Sequence, residues 1–140
     1  LPLAISGRCY HARLHKRTKD NCQFACEDDP DGLDVRTLEG QPFLAMNGVQ
    51  TLSDTYASAA HQIDALTSAG VSALRLSPQS KGFTQICDQY HQLLDGKTSG
   101  ADVADAICDI DSNIRLSDGF LTGDRGVDWS GKQPPDTNQP

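Results

Sequence analysis

The stretch that decides the predicted fold is residues 71–96, VSALRLSPQSKGFTQICDQYHQLLDG. Its first part, residues 71–76, is an apolar run closed by Ser77-Pro78, and it predicts a strand. Its second part predicts a helix that Gly96 ends, because apolar residues from Phe83 to Leu94 recur at helical spacing. A strand followed directly by a helix is typical of a parallel sheet covered by helices.

The same alternation extends to both sides of this stretch. Residues 3–6 and 43–46 predict two further strands, residues 53–70 a helix with Ser53 as N-cap, and residues 100–110 another helix. About three strands are too few for a parallel sheet to be covered on both faces. We therefore expect an α/β fold that is part of a larger barrel or open sheet, in a chain that is itself a fragment.

The apolar faces of these elements define the predicted core and domain. Residues 1–126 are expected to form one domain that carries a cysteine segment, and residues 127–140 a polar, disordered tail. The side chains on the apolar faces are expected to be buried. They are Ile63, Leu66, Leu74, Phe83, Ile86, Tyr90 and Leu93.

Charge and composition exclude several classes of protein. The 140 residues contain 12 Lys and Arg against 19 Asp and Glu, a net charge of −7, so binding to nucleic acid in general is not expected. No apolar run approaches the roughly 20 residues that span a bilayer. The five cysteines are an odd number and too sparse for a secreted disulfide scaffold, which predicts a reducing, cytoplasmic environment.

The cysteine spacing is the sharpest chemical signal in the chain. Cys9, Cys22 and Cys26 follow the pattern Cys-x12-Cys-x3-Cys, and thiolates are soft ligands for zinc, copper(I) or iron–sulfur clusters. On a helical turn, Cys22 and Cys26 would share one face. The spacing leaves open a zinc site, an iron–sulfur site or three free thiols. The neighbouring cations favour thiolates. They are Arg8, Arg13, Lys16, Arg17 and Lys19.

Other polar residues are weaker candidates. His11 is kept as a site candidate because it lies two residues after Cys9. Cys87 and Cys108 belong to apolar helix faces and are predicted to be core thiols. Residues 27–32 are acidic but lack the final acid of a calcium loop, so they predict a turn. No sequence motif of a protease, a serine hydrolase or a P-loop nucleotidase is present.

Several of these stretches together resemble a known family. They are GRCY at residues 7–10, KDNCQFAC at 19–26, DPDG at 29–32, FLAMNGVQTLS at 43–53, AGV at 69–71, LRLSPQ at 74–79 and DGF at 118–120. In this order they resemble the C-terminal half of peptidase family U32, from about residue 3 to residue 126. The cysteine spacing and the run NGVQTLS most resemble the ubiquinone-biosynthesis branch of that family.

The resemblance implies a specific fold and function. The fold would be the C-terminal part of a TIM-type (β/α) barrel, with parallel strands alternating with helices. Cys9, Cys22 and Cys26 would hold a [4Fe–4S] cluster with a fourth cysteine from a missing N-terminal half. The protein would work in the cytoplasm, as the heterodimer partner of a UbiU-like protein, in oxygen-independent hydroxylation of a prenylated aromatic quinone precursor. The alternatives are an RNA-base hydroxylation factor of the same family and a zinc-stabilised structural module without turnover.

Overall fold

A computed structural model describes residues 1–131, which form two compact units: residues 1–54, and a second unit that begins at residue 55. The first unit is built on a four-stranded sheet. Its strands are β1 (Pro2–Ile5), β2 (Leu33–Arg36), β3 (Pro42–Asn47) and β4 (Gln50–Ser53), in the order β1-β4-β3-β2. Every neighbouring pair in this sheet is antiparallel.

The prediction of parallel strands is therefore wrong for the first unit. The predicted strands at residues 3–6 and 43–46 exist, but both belong to the antiparallel sheet. The cause is the loop between β3 and β4, where Asn47 pairs with Gln50 and only Gly48 and Val49 lie between them. A two-residue connection can join only antiparallel strands, and Gly48 has the positive φ of +59° that such a loop needs.

Helix α1 (Tyr10–Leu14) packs against the sheet of the first unit. It contacts β3, and its inward residue Ala12 and Met46 of β3 are both buried. Two 3-10 turns follow α1 in the chain, Lys19–Asn21 and Ala25–Asp28. The second turn contacts α1, so the segment that contains the cysteines folds back on itself.

The second unit contains most of the helices and one parallel strand pair. Its elements are β5 (Tyr56–Ala57), a 3-10 turn (Ala60–Gln62), α2 (Ile63–Ser68), α3 (Phe83–Leu94), α4 (Gly100–Ile110), β6 (Leu116–Ser117) and α5 (Gly119–Thr122). β5 pairs in parallel with β6. The described chain is thus a mixed α/β structure, and the strands that the structure describes close no barrel.

The core of the second unit lies between α3, α4 and β6. Ile86 and Tyr90 of the predicted core are buried here, Leu74 and Leu93 pack partly buried against the cluster, and Ile63 is buried in α2. Leu66 and Phe83 are only half-buried. The sequence-based list omitted the residues that α4 and β6 contribute. These are Val103, Ala104 and Ile107 of α4 and Leu116 of β6, and the connection between the two elements adds Ile114.

Two element predictions in the second unit need correction. Residues 71–79 form no strand. Leu74 and Leu76 do contact the core, at the alternate spacing from which the strand was predicted. Among the described residues, however, no strand lies beside this segment to form the backbone hydrogen bonds of a sheet with it. The helix predicted from Ser53 begins only at Ile63, after the 3-10 turn Ala60–Gln62, because Ser53 is the last residue of β4 and pairs with Leu44.

Helix ends, by contrast, agree with their sequence signals. Gly70 and Gly96, the predicted stops of α2 and α3, have φ of +89° and +68°. At each site the N–H of the glycine and the N–H of the next residue close the last turn in the Schellman pattern, as in Gly70 N–H to Thr67 O and Val71 N–H to Leu66 O, both at 3.0 Å. α4 begins with a reciprocal capping box between Ser99 and Asp102.

A buried carboxylate fixes the end of the described chain in the second unit. Asp118 accepts hydrogen bonds from Gln62 Nε2 at 2.7 Å, from the backbone N–H of Ser130 at 2.9 Å, and from the Ser130 hydroxyl. Next to Ser130, Trp129 stacks on His61 with ring centroids 4.6 Å apart. Of the predicted tail at 127–140, residues 132–140 lie outside the described residues.

Replacing Asp118 by Asn is expected to destabilise the second unit by about 1.5–3 kcal/mol at neutral pH, because a carboxylate that accepts several hydrogen bonds is lost. Burial acts to raise the pKa of Asp118, but the hydrogen bonds from Ser130 and Gln62, with the nearby His61, hold it below its usual value. A depressed folded pKa adds stability above the unfolded pKa of about 3.9, and this stability is lost as the pH falls through the folded pKa.

Urea titrations from pH 7 down to pH 3 measure this effect. The difference in the free energy of unfolding between wild type and Asp118→Asn should become smaller below about pH 4. Asp88→Asn is the matched control, since Asp88 is exposed on α3 and the change should leave the free energy of unfolding within about 0.5 kcal/mol of wild type. A constant difference across the pH range would contradict the assignment of this stability to the Asp118 charge.

Candidate metal centre

Cys9 is positioned by the start of α1. It is the N-cap residue of that helix, with extended backbone, and its Sγ accepts a hydrogen bond from the backbone N–H of Ala12 at 3.3 Å. The thiol is half-buried and free. A backbone N–H directed at sulfur stabilises negative charge there, which suits a thiolate ligand.

Cys22 and Cys26 are positioned by the two 3-10 turns. Cys22 follows the first turn, and its Sγ accepts a hydrogen bond from the backbone N–H of Phe24 at 3.4 Å. Cys26 lies inside the second turn, Ala25–Asp28. Both thiols are half-buried and free. Because this second turn contacts α1, the Cys9 and Cys26 segments are neighbours in the fold.

The prediction that Cys22 and Cys26 share one helical face is wrong. Gln23 and Phe24, between them, have φ of +51° and +52°, so the backbone is left-handed where a helix would require negative φ. A left-handed backbone at a residue other than glycine costs about 1–3 kcal/mol, and it persists only where the surrounding structure enforces it. Phe24 is 68% exposed, so burial of its ring does not compensate the cost. The Cys22–Cys26 loop is therefore strained.

His11 is the most buried polar side chain of the cysteine segment. Only 1% of it is exposed, and its Nε2 lies 3.0 Å from Oδ2 of Asp29. This is an ion-pair distance without the alignment of a hydrogen bond, and within the described residues neither ring nitrogen of His11 has a hydrogen-bonding partner. The ring also stacks on His15 at 5.7 Å between centroids. Sequence reasoning identified His11 and correctly placed Asp29 in a turn, where the N–H of Gly32 donates to the carbonyl of Asp29 at 2.9 Å, but it did not predict the contact of Asp29 with His11.

Of the five predicted cations, Arg17 contacts the backbone of a cysteine. The Arg17 guanidinium donates a hydrogen bond to the backbone carbonyl of Cys22 at 3.2 Å. The Nζ atom of Lys19 lies 3.9 Å from Oδ1 of Asp20. Arg8, Arg13 and Lys16 are exposed. Positive charge near such a segment offsets the negative charge of a thiolate-ligated centre.

The three thiols do not form a ready-made ligand set. Within residues 1–131, no three His, Cys, Asp or Glu side chains lie close enough together to hold a metal ion. The chemistry of the donors still fits an iron–sulfur centre, since three free thiols lie in one folded segment and two accept backbone N–H groups. Metal binding would have to draw them together, which couples binding to local folding.

Cys87 and Cys108 lie in the second unit, on α3 and α4. Cys108 packs partly buried against the core, as predicted for a core thiol. Burial, and then the neighbouring Asp105 and Asp109, raise the pKa of the Cys108 thiol above its ordinary value. A thiol with a raised pKa is a poor thiolate ligand, so Cys108 does not suit the role of a further ligand.

A family model described as peptidase family U32 matches residues 1–131. No solved structure matches the chain. In the described part of the chain, the helices are all too short or too polar to cross a membrane.

Proposed function

The chain belongs to peptidase family U32, and from that premise we propose that it is the iron–sulfur subunit of an oxygen-independent hydroxylation system in ubiquinone biosynthesis, most like UbiV. The observation that carries the proposal is the Cys-x12-Cys-x3-Cys segment inside the family match, with its three free thiols and the five cations in the same stretch of sequence. A fourth cysteine from another part of the protein, a UbiU-like partner and a TIM-type barrel belong to the same proposal.

Each residue of the segment has a defined task in this proposal. Cys9, Cys22 and Cys26 ligate the cluster. The N–H groups of Ala12 and Phe24 orient two of the sulfurs and stabilise their charge. A bound [4Fe–4S] cluster supplies one-electron transfer, at a potential set by such hydrogen bonds and by solvent exposure. The substrate proposed is a prenylated aromatic quinone precursor.

Metal and sulfide analysis after purification without oxygen tests this proposal. We expect about four iron and four sulfide per chain and a broad visible absorption, because that is the content of one [4Fe–4S] cluster. Stoichiometric zinc without iron or sulfide would replace the proposal with a zinc-stabilised structural module.

A second arm separates the quinone proposal from RNA-base hydroxylation. The exposed cations Arg8, Arg13 and Lys16 favour the RNA alternative, while the net charge of −7 opposes it. Retention on an RNA column should be weak at both low and moderate salt. Tight retention that salt abolishes would favour the RNA alternative, because phosphate contacts release counterions.

A further inference from the structure

His11 is placed where it joins two of the cysteine-bearing segments. Cys9 caps α1, and His11 lies in the first turn of that helix. Cys26 lies in the 3-10 turn Ala25–Asp28, and Asp29 is the residue that ends this turn. The 3.0 Å approach of His11 Nε2 to Asp29 Oδ2 therefore connects the element that carries one thiol to the element that carries another.

Burying the His11 ring without hydrogen-bonding partners among the described residues costs free energy, which suggests a functional reason for it. An imidazole that is 99% removed from solvent normally finds partners for both ring nitrogens, since an unsatisfied buried polar group carries a desolvation cost. An apolar side chain of similar size would fill the same space without that cost. Asp29 keeps a third of its side chain in solvent, so its carboxylate stays hydrated while it meets the buried ring.

We propose that His11 and Asp29 form a bracket that keeps the segment of Cys9 beside the segment of Cys26, so that metal binding can draw the thiols together, which makes His11 a positioning residue for the metal centre. This inference rests on the proposed function in that it requires the thiols to bind a metal. The bracket acts through Nε2 of His11. A partner that orients the ligand segments from outside the metal's own shell typically changes metal affinity by 10- to 100-fold.

Affinity of the metal-free chain for Co²⁺ tests the bracket without any need for activity. Thiolate-to-Co²⁺ absorption reports ligation by sulfur, and four variants of His11 and Asp29 separate the roles of the ring atoms. A Gln amide nitrogen reaches the position of Nε2, whereas an Asn amide nitrogen reaches that of Nδ1. We expect His11→Gln to stay within a few-fold of wild type, and His11→Asn, His11→Ala and Asp29→Ala to weaken Co²⁺ binding by 10- to 100-fold.

Two controls separate positioning from general stability. Met46→Ala removes a buried side chain of β3 in the same unit, so it should lower the melting temperature yet leave the Co²⁺ affinity within a few-fold of wild type. The double variant of His11→Ala and Asp29→Ala should bind Co²⁺ no more weakly than either single variant, because the two single changes remove the same contact. If His11→Ala does not fold, the comparison of Gln with Asn still decides.

The outcomes distinguish this inference from the proposed function. Equal Co²⁺ affinity in wild type and all His11 variants overturns the bracket, and so does a result in which Asn preserves binding and Gln does not. Neither result touches the iron and sulfide analysis. Co²⁺ binding that depends on the bracket, in a protein that carries no iron, keeps the bracket and removes the iron–sulfur proposal. Wild-type protein that binds no Co²⁺ through sulfur overturns the bracket.

Discussion

Replacing Ile86 by Ala is expected to lower the free energy of unfolding of the second unit by about 2–5 kcal/mol. Ile86 lies on α3 with only 3% of its surface exposed, and it belongs to the cluster that includes Val103 and Ile107 of α4. Truncation removes buried methyl groups and leaves a cavity that the two packed helices fill only in part. Denaturant titration followed by the fluorescence of Trp129, the one tryptophan of the chain, reports on this unit.

Leu94→Ala is the control for this experiment. Leu94 lies on the same helix but is 57% exposed, so its truncation should change the free energy of unfolding by less than about 0.5 kcal/mol. If both variants unfolded at the denaturant concentration of wild type, the face of α3 assigned to the core would be wrong. If Leu94→Ala were the more destabilised variant, the helix would be rotated relative to the structure described above.

Replacing Cys9, Cys22 or Cys26 by Ala is expected to remove most of the bound iron and the visible absorption from protein handled without oxygen. Each change deletes a thiolate of the proposed cluster, and cysteine ligation is what retains iron and sulfide. The first unit contains no fourth thiol that could substitute, because Cys87 and Cys108 belong to the second unit. Iron and sulfide are measured per chain, beside wild type prepared in the same way.

Cys87→Ala and Cys108→Ala are the matched controls. Both change a half-buried cysteine to alanine, so they reproduce the chemical change without touching the three-cysteine segment. These two variants should keep iron, sulfide and absorption at the wild-type level. Equal iron in all five variants would reduce the Cys-x12-Cys-x3-Cys pattern to a coincidence of spacing, and the iron–sulfur proposal would fall with it.

The sequence predicted local elements well and pairing between elements poorly. α3 and α4 were predictable because their apolar periodicity and end signals lie within each helix. The strand predicted at residues 71–76 is wrong because a strand depends on a neighbour that the segment's own residues do not reveal. The antiparallel sheet was missed because β4, Gln-Thr-Leu-Ser, is too polar to stand out. The pair Asn47-Gly48 directly after the apolar run of β3 was the available signal for a hairpin.

The candidate site was predictable to a similar extent. Thiols are recognisable wherever they occur, so all three cysteines and His11 could be named in advance. The geometry between Cys22 and Cys26 could not, because Gln23 and Phe24 are not residues whose identity predicts a left-handed backbone. Asp29 was missed since its contact with His11 links two segments that only the folded chain brings together.

The parallel pair of β5 with β6 has a consequence for how the protein folds during its synthesis. Tyr56, near the start of the second unit, pairs with Leu116, near the end of the described chain. A ribosome therefore releases all four strands of the first unit, and then α3 and α4, before β6 emerges. Until then Val103 and Ile107 lack the cover that Leu116 gives them in the core. A nascent chain stalled before residue 114 would thus expose apolar side chains of the α3–α4 pair to solvent. Chaperones bind intermediates of this kind.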